Sequence, residues 1–357
     1  MAIAESFPAP CLQLLEQLIA TPSFSREEGH TANLIEAFFK KQGLSPQRLG
    51  HNIWVQSPHY RSRRPTLLLN SHHDTVKPAA GWVRNPFTPQ WEGDKLYGLG
   101  SNDAGGPLVA LIAAFLALTH EPDLDCNLLL AATAEEEISG QGGIAALLPL
   151  LDPIDCGIVG EPTQMAMAVA ERGLMVVDGE AQGQAGHAAR EEGVNALYIA
   201  LDDINQLRNY QFPLVSPLLG PVKISVTQID AGSQHNVVPD RCRFVIDIRV
   251  NEHYRNEEVL AALQAVVQST LKARSFRLQS SRIDLSHPLI QAGQALGISA
   301  FGSPTLSDQA LMPFPTLKIG PGDSARSHTA DEFICLSELS SATQTYIALI
   351  KKYGELA

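Results

Sequence analysis

Four short runs in this chain are apolar at nearly every position: 66–70 (TLLLN), 127–132 (NLLLAA), 156–160 (CGIVG) and 316–319 (TLKI). Continuous rather than alternating hydrophobicity marks strands buried on both faces. Helical patterns at 105–118 and 142–150 fall between the first three runs. This alternation predicts an α/β fold with a mainly parallel sheet flanked by helices. The pattern changes after about Thr163. Runs at 175–182, 222–229 and 243–250 read as longer, partly exposed strands, and helical stretches at 195–208 and 257–272 separate them. A strand-like run at 276–283 closes this block, and the α/β pattern then resumes. The expectation is an α+β sandwich inserted into a larger domain: 1–165 and 284–357 for the large domain, 166–283 for the insert.

Composition narrows the picture. A chain of 357 residues with 45% apolar and 18% charged residues suits one large globular domain plus a smaller one. Lys and Arg total 26 against 38 Asp and Glu, a net charge of -12. Such a chain repels phosphate backbones and anionic bilayers, so neither nucleic acid nor membrane is an expected partner. The first eighteen residues carry Glu5 and Glu16 and no basic segment, which does not read as a signal peptide. The longest apolar stretch, 108–118, is too short to span a bilayer and reads as a buried helix. Five scattered cysteines with no C-x-x-C pair argue for reduced thiols in the cytoplasm and against a zinc-thiolate site.

Open α/β sheets bind ligands just past the carboxyl ends of their strands. The four apolar runs lead into Ser71-His72-His73-Asp74, into Glu135-Glu136-Glu137, into Glu161-Pro162-Thr163, and through Gly320-Pro321-Gly322 to Ser327-His328-Thr329. Asp103 stands just before the helix that starts near Gly105. Each motif alone also fits an ordinary loop. Together they gather histidines and carboxylates at one sheet edge, a nitrogen and oxygen donor set suited to Zn, Co or Mn. Three adjacent acids repel one another unless a cation neutralises them. Neighbours in a strand point to opposite faces, so His73 is expected behind His72 rather than beside it as a ligand.

With these residues in order, the chain resembles the M20 metallopeptidases, and among them the acetylornithine deacetylase and succinyl-diaminopimelate desuccinylase group. The H-x-D, late-Asp, D-E-E, E-P-T and A-H-T-x-D-E motifs that carry the resemblance run from Ser71 to Glu332. The resemblance implies a zinc-exopeptidase-like catalytic domain with an inserted lid or dimerisation domain, and two divalent metals. His72, Asp103 and Glu161 would hold one ion, and Asp103, Glu137 and His328 the other, with Asp103 shared. Glu136 matches the general base and Asp74 the acid that orients His72. The sequence departs from the family where Ala104-Gly105 replaces Met-Lys, where Glu135 heads the acidic triplet, and where Ser327 precedes the last ligand. The triplet leaves a one-residue ambiguity in register.

In the insert, Gly183-Gln184-Ala185-Gly186-His187-Ala188 resembles the family motif whose histidine stabilises an oxyanion. Asn236 and Arg249 match substrate-contacting positions, and a guanidinium suits a bidentate grip on a free carboxylate. Arg172 is a further candidate, with a surface ion pair as its plainer reading; Ser307-Asp308 are noted as possible neighbours of the pocket. The implied activity is removal of an acetyl or succinyl group from an Nα-acyl amino acid such as acetylornithine or acetylcitrulline, in arginine biosynthesis. Succinyl-diaminopimelate desuccinylase, dipeptidase and carboxypeptidase remain open, because one amide cleavage serves them all. Two copies pairing through the insert, or one chain whose insert covers its own site, both fit.

Overall fold

The computed structural model describes residues 7–190 and 192–357. Residues 1–6, part of the stretch that does not read as a signal peptide, lie outside the described residues. The chain divides into two compact units: one runs up to Val169 and takes Ile283–Phe301 and Ser307–Ala357, the other takes Ala170–Arg282 and Gly302–Leu306.

In the first unit the strands Asn52–Gln56, Asn127–Thr133, Thr66–His72, Cys156–Val159 and Thr316–Lys318 lie side by side in that order. Thr66–His72 is parallel to both neighbours, and Thr316–Lys318 is parallel to Cys156–Val159. Asn52–Gln56 runs antiparallel to Asn127–Thr133. Every residue of Thr66–His72, Asn127–Thr133 and Cys156–Val159 is buried, as continuous apolar runs require. Register sets where the polar segments emerge. His72 lies opposite Thr133, so those two strands end level, and Cys156–Val159 ends opposite Asn70, two residues earlier; all three release their polar segments at one edge.

The helix Gly106–Leu118 packs behind this sheet with eleven buried residues. The helical stretch Ser101–Leu118 is apolar and long enough to cross a membrane, but 83% of it is buried inside the protein, which accounts for its composition. The helix expected at 142–150 is shorter: a turn at Ile144–Leu147 passes into a 3₁₀ turn at Leu148–Leu150. Pro149 supplies no N–H to continue the α-helical ladder there.

The second unit contains an antiparallel sheet in the order Lys223–Ala231, Arg241–Val250, Gly173–Gln182, Thr270–Ala273. Met175, Val177, Phe244, Ile246 and Ile248 form its apolar core with Ala196, Ala200 and Leu207 of the helix Ala196–Asn209. Two expectations for this unit are corrected. The helix foreseen over 257–272 covers only Asn256–Gln264, and the chain then turns into the strand Thr270–Ala273. The buried carboxylate of Asp203 causes the break: it accepts the N–H of Gln268 at 3.0 Å and of Ser269 at 2.7 Å, and the Ser269 hydroxyl at 2.6 Å. The run expected as a strand over 276–283 pairs only at Ser281–Arg282.

Candidate metal centre

His72 is the last residue of its strand and is 1% exposed. Its Nδ1 lies 2.9 Å from the Asp74 carbonyl oxygen and 3.5 Å from Asp74 Oδ1. A carbonyl only accepts, so Nδ1 carries the hydrogen and in the neutral ring Nε2 keeps a free lone pair. That Nε2 faces three carboxylates: Asp103 Oδ1 at 3.2 Å, Glu161 Oε1 at 3.7 Å and Glu136 Oε2 at 3.9 Å. His73 is turned elsewhere, with Nδ1 2.9 Å from the Thr31 hydroxyl and Nε2 3.0 Å from the His51 carbonyl.

The acidic triplet resolves its own register. Glu135 adopts a left-handed backbone (φ 56°), and its carboxylate accepts the N–H of Gly142 at 3.2 Å. Glu136 and Glu137 instead reach the histidines: Glu136 lies beside His72, and Glu137 Oε2 is 3.0 Å from His328 Nε2. His328 Nε2 is also 3.6 Å from Asp103 Oδ2, so the two oxygens of Asp103 face different histidines. The three backbone N–H groups of the triplet are held by buried carboxylates. Glu28 accepts that of Glu135 at 3.1 Å, and Asp74 accepts those of Glu136 at 3.0 Å and Glu137 at 3.2 Å. The Ser25 hydroxyl donates to the same Asp74 carboxylate at 2.7 Å.

Asp103 stands where the chain leaves regular geometry before the helix Gly106–Leu118 (φ -126°, ψ 97°). The tight turn needs glycine at position 100, where φ is 75° and a Cβ would come within 2.6 Å of the Thr75 side chain. Ala104 and Gly105, where the family pattern has larger residues, are both buried. Sequence reasoning assigned no role to Glu28, Ser25 or Glu332. Only Glu332 carried a signal, as the last letter of the A-H-T-x-D-E motif. Asp308 is buried behind the site and accepts from Asn70 at 2.9 Å and the Thr133 hydroxyl at 3.0 Å.

Crowded buried charges shift one another. Burial opposes a charge on His72, but its bonds to Asp103 and Asp74 and the nearby charges of Glu136 and Glu161 outweigh that and hold it well above its usual range. Burial pushes Glu161 up to about 8, against the pull of His72, and drives Glu136 well above the usual carboxylate range. The bond to Glu137 lifts His328 to about 9. Burial is outweighed at Asp103, which the His72 bond holds below its usual value.

The remaining sequence candidates belong to the second unit. The Gly186–His187 strand pairs with Val237–Val238, which brings His187 next to Asn236 in space: the Ala188 N–H donates to the Asn236 carbonyl at 3.0 Å. His187 is exposed, and its Nδ1 accepts the N–H of Ala189 at 3.1 Å, leaving Nε2 to carry the hydrogen. Arg249 makes a bidentate pair with Asp247 at 2.8 and 3.1 Å. Arg172 donates to the Leu219 carbonyl, a bond that ties down a loop.

The residues of the first unit fit divalent cations. Donor atoms of His72, Asp103 and Glu137 all lie within 4.8 Å of one another, as do those of His72, Glu136 and Glu161. Glu161 Oε1 is buried with no hydrogen-bond partner, an exposed need that a cation satisfies. The set contains nitrogen and oxygen only, and the five cysteines are all free.

The chain is similar to known proteins in sequence and in fold. Residues 68–352 match the family described as Peptidase family M20/M25/M40. The succinyl-diaminopimelate desuccinylase of Dinoroseobacter shibae is 30% identical over 273 residues, 71% of each chain. The acetylornithine deacetylase of Proteus mirabilis is 27% identical over 376 residues, 96% of each. Among solved structures, the Bacillus subtilis YXEP protein, titled a dinuclear metal binding peptidase from M20 family, superposes with a TM-score of 0.76 at 16% identity, over 97% of this chain and 98% of that one.

Proposed function

The chain belongs to peptidase family M20/M25/M40 and is a metal-dependent amidohydrolase, and from that premise we propose that it removes the acyl group of an Nα-acyl amino acid such as acetylornithine or acetylcitrulline. The observation that carries the reading is the convergence of His72, Asp103, Glu137, Glu161 and His328 around Glu136. The first five would hold two divalent ions, Zn by preference with Co or Mn as alternatives, with Asp103 shared between them. When bound, the ions supply Lewis acidity toward water and toward an amide carbonyl.

The protein's own groups do the rest. Glu136 takes a proton from the attacking water and returns it to the leaving amine, a role favoured by the burial that raises its proton affinity. Asp74 fixes the tautomer of His72 and holds the backbone of Glu136 and Glu137. His187, with its hydrogen on Nε2, would donate to the developing oxyanion. Asn236 and Arg249 would grip the substrate carboxylate, with Arg249 exchanging its Asp247 partner for the substrate, and Arg172 would support them through the Leu219 loop. We assign the second unit the part of a lid or of a pairing surface between two copies. The reduced cysteines support a cytoplasmic setting, and the deacetylase relative supports a place in arginine biosynthesis.

A second reading, desuccinylation of a diaminopimelate derivative, is favoured by the 30% identical desuccinylase. One experiment separates them. The purified protein, supplied with Zn or Co, is assayed on acetylated and succinylated ornithine, citrulline and diaminopimelate beside dipeptides. Turnover of acetylated ornithine or citrulline above the others supports the proposal. Preference for the succinyl compound selects the second reading, and cleavage of dipeptides alone overturns both.

A further inference from the structure

We propose that Glu332 is a positioning residue that sets the backbone of Asp103 before any ion arrives. The inference rests on the reading of Asp103 as the ligand shared by two cations. The Glu332 carboxylate gathers three N–H groups of one loop: Oε1 accepts those of Asn102 at 2.8 Å and Asp103 at 2.9 Å, and Oε2 that of Gly100 at 3.1 Å. The Glu332 carbonyl adds a fourth tie, from the Gly98 N–H at 3.0 Å.

The loop needs such a partner. Backbone from Gly98 to Ala104 combines positive φ at Gly98 and Gly100 with non-helical angles at Asp103 and Ala104; the Leu99 and Ser101 N–H groups find backbone carbonyls, but those of Gly100, Asn102 and Asp103 turn to Glu332 instead. A buried N–H left without an acceptor costs about 1–3 kcal/mol. Glu332 itself is 2% exposed, and its side chain serves this loop alone among the bonds its oxygens accept.

The neighbouring residues give the brace its reach. Four residues before Glu332 stands His328, which faces the other oxygen of Asp103. One residue after it, Phe333 pairs with Tyr97 and begins a strand. Asp331 accepts the N–H groups of Val83 and Arg84 at 3.2 and 3.0 Å. A single short segment therefore presents one histidine to the centre and sets the peptide that carries the shared carboxylate. Glu332 touches neither ion nor substrate in this scheme; it acts through Asp103.

The test is metal titration of chelator-stripped wild type, Glu332→Ala and Glu332→Gln, by calorimetry well below each melting temperature. Glutamine preserves the volume but turns an NH₂ toward at least one of the three donors. Both variants are expected to bind Zn about 10–100-fold more weakly than wild type, as loss of a supporting partner of a ligand does. Activity should return at excess Zn. Affinity within twofold of wild type, with only a lower melting temperature, overturns the proposal and leaves Glu332 a stabilising residue. A wild-type protein that takes up no metal instead defeats the metal-centre reading itself. Should neither variant fold, amide exchange in metal-free wild type decides. Slow exchange at Asn102 and Asp103 is expected, and exchange at the free-chain rate contradicts a preset loop.

Discussion

The carboxylate of Asp74 accepts the backbone N–H of Glu136 at 3.0 Å, so the acid that stands beside His72 also fixes the peptide of the proposed base. Its second oxygen does the same for Glu137 at 3.2 Å. Asp74 thus links one histidine to two acids that lie 62 and 63 residues further along the chain. Replacing its side chain removes both backbone ties and the contact of Oδ1 with His72 at 3.5 Å, while the Asp74 carbonyl stays on His72 Nδ1. Asp74→Ala is expected to lower kcat/KM or metal affinity by about 10–100-fold, read by steady-state kinetics and metal titration. Loss confined to thermal stability would contradict the linkage.

Glu136→Gln separates binding from chemistry. Its neighbours His72, Asp103, Glu137, Glu161 and His328 are untouched, so metal content should persist while kcat falls by about 10²–10⁴-fold. Elemental analysis beside kinetics reads both. Retained turnover would remove Glu136 from the proton-transfer role.

Metal-free protein should lose stability as pH rises. Burial lifts both Glu161 and Glu332 to about 8, from 4.5 in a free chain. A raised pKa means the folded protein binds these protons more tightly than the unfolded chain does. The resulting stability is present below about pH 4.5 and disappears as pH climbs through about 8. Chelator-stripped protein should therefore melt at a lower temperature near pH 8 than near pH 6, and added Zn should narrow the gap by neutralising Glu161. Calorimetric melting across this window checks the sign. A melting temperature that rises with pH there would contradict it.

Gly143→Ala tests the turn behind the acids. A Cβ at this position would lie 2.2 Å from the Ala134 carbonyl oxygen, and Ala134 is itself held through its N–H to Asn52 at 3.0 Å. Backbone cannot withdraw as a flexible side chain can. The substitution is expected to cost about 1–3 kcal/mol in chemical denaturation.

How far the sequence speaks depends on the kind of interaction. Thr66–His72 and Asn127–Thr133 are legible because parallel strands covered on both faces must be apolar at every step. The histidines and acids of the centre are legible because parallel strands end at one edge, and polar residues directly after such runs stand out. Asp203, Glu28 and Glu332 are different. Each folds a loop by accepting backbone N–H groups from segments that can lie more than a hundred residues away, as Glu28 does for Glu135 and Glu332 for Asp103. Such bonds leave no periodicity. Asp203 also explains why the helical pattern over 257–272 misleads: Val266 and Val267 continue the apolar spacing after the helix has ended at Gln264. In the acidic triplet, backbone handedness rather than residue type selects which two side chains face the histidines.

The central claim is that five side chains from separate segments hold a pair of ions beside Glu136. Elemental analysis of protein reconstituted with Zn and dialysed tests it most directly, on wild type, Glu161→Ala and His328→Ala in parallel. The account predicts two ions per chain in wild type and one in each variant. Wild-type protein with no bound ion, or variants that keep the full complement, would contradict it.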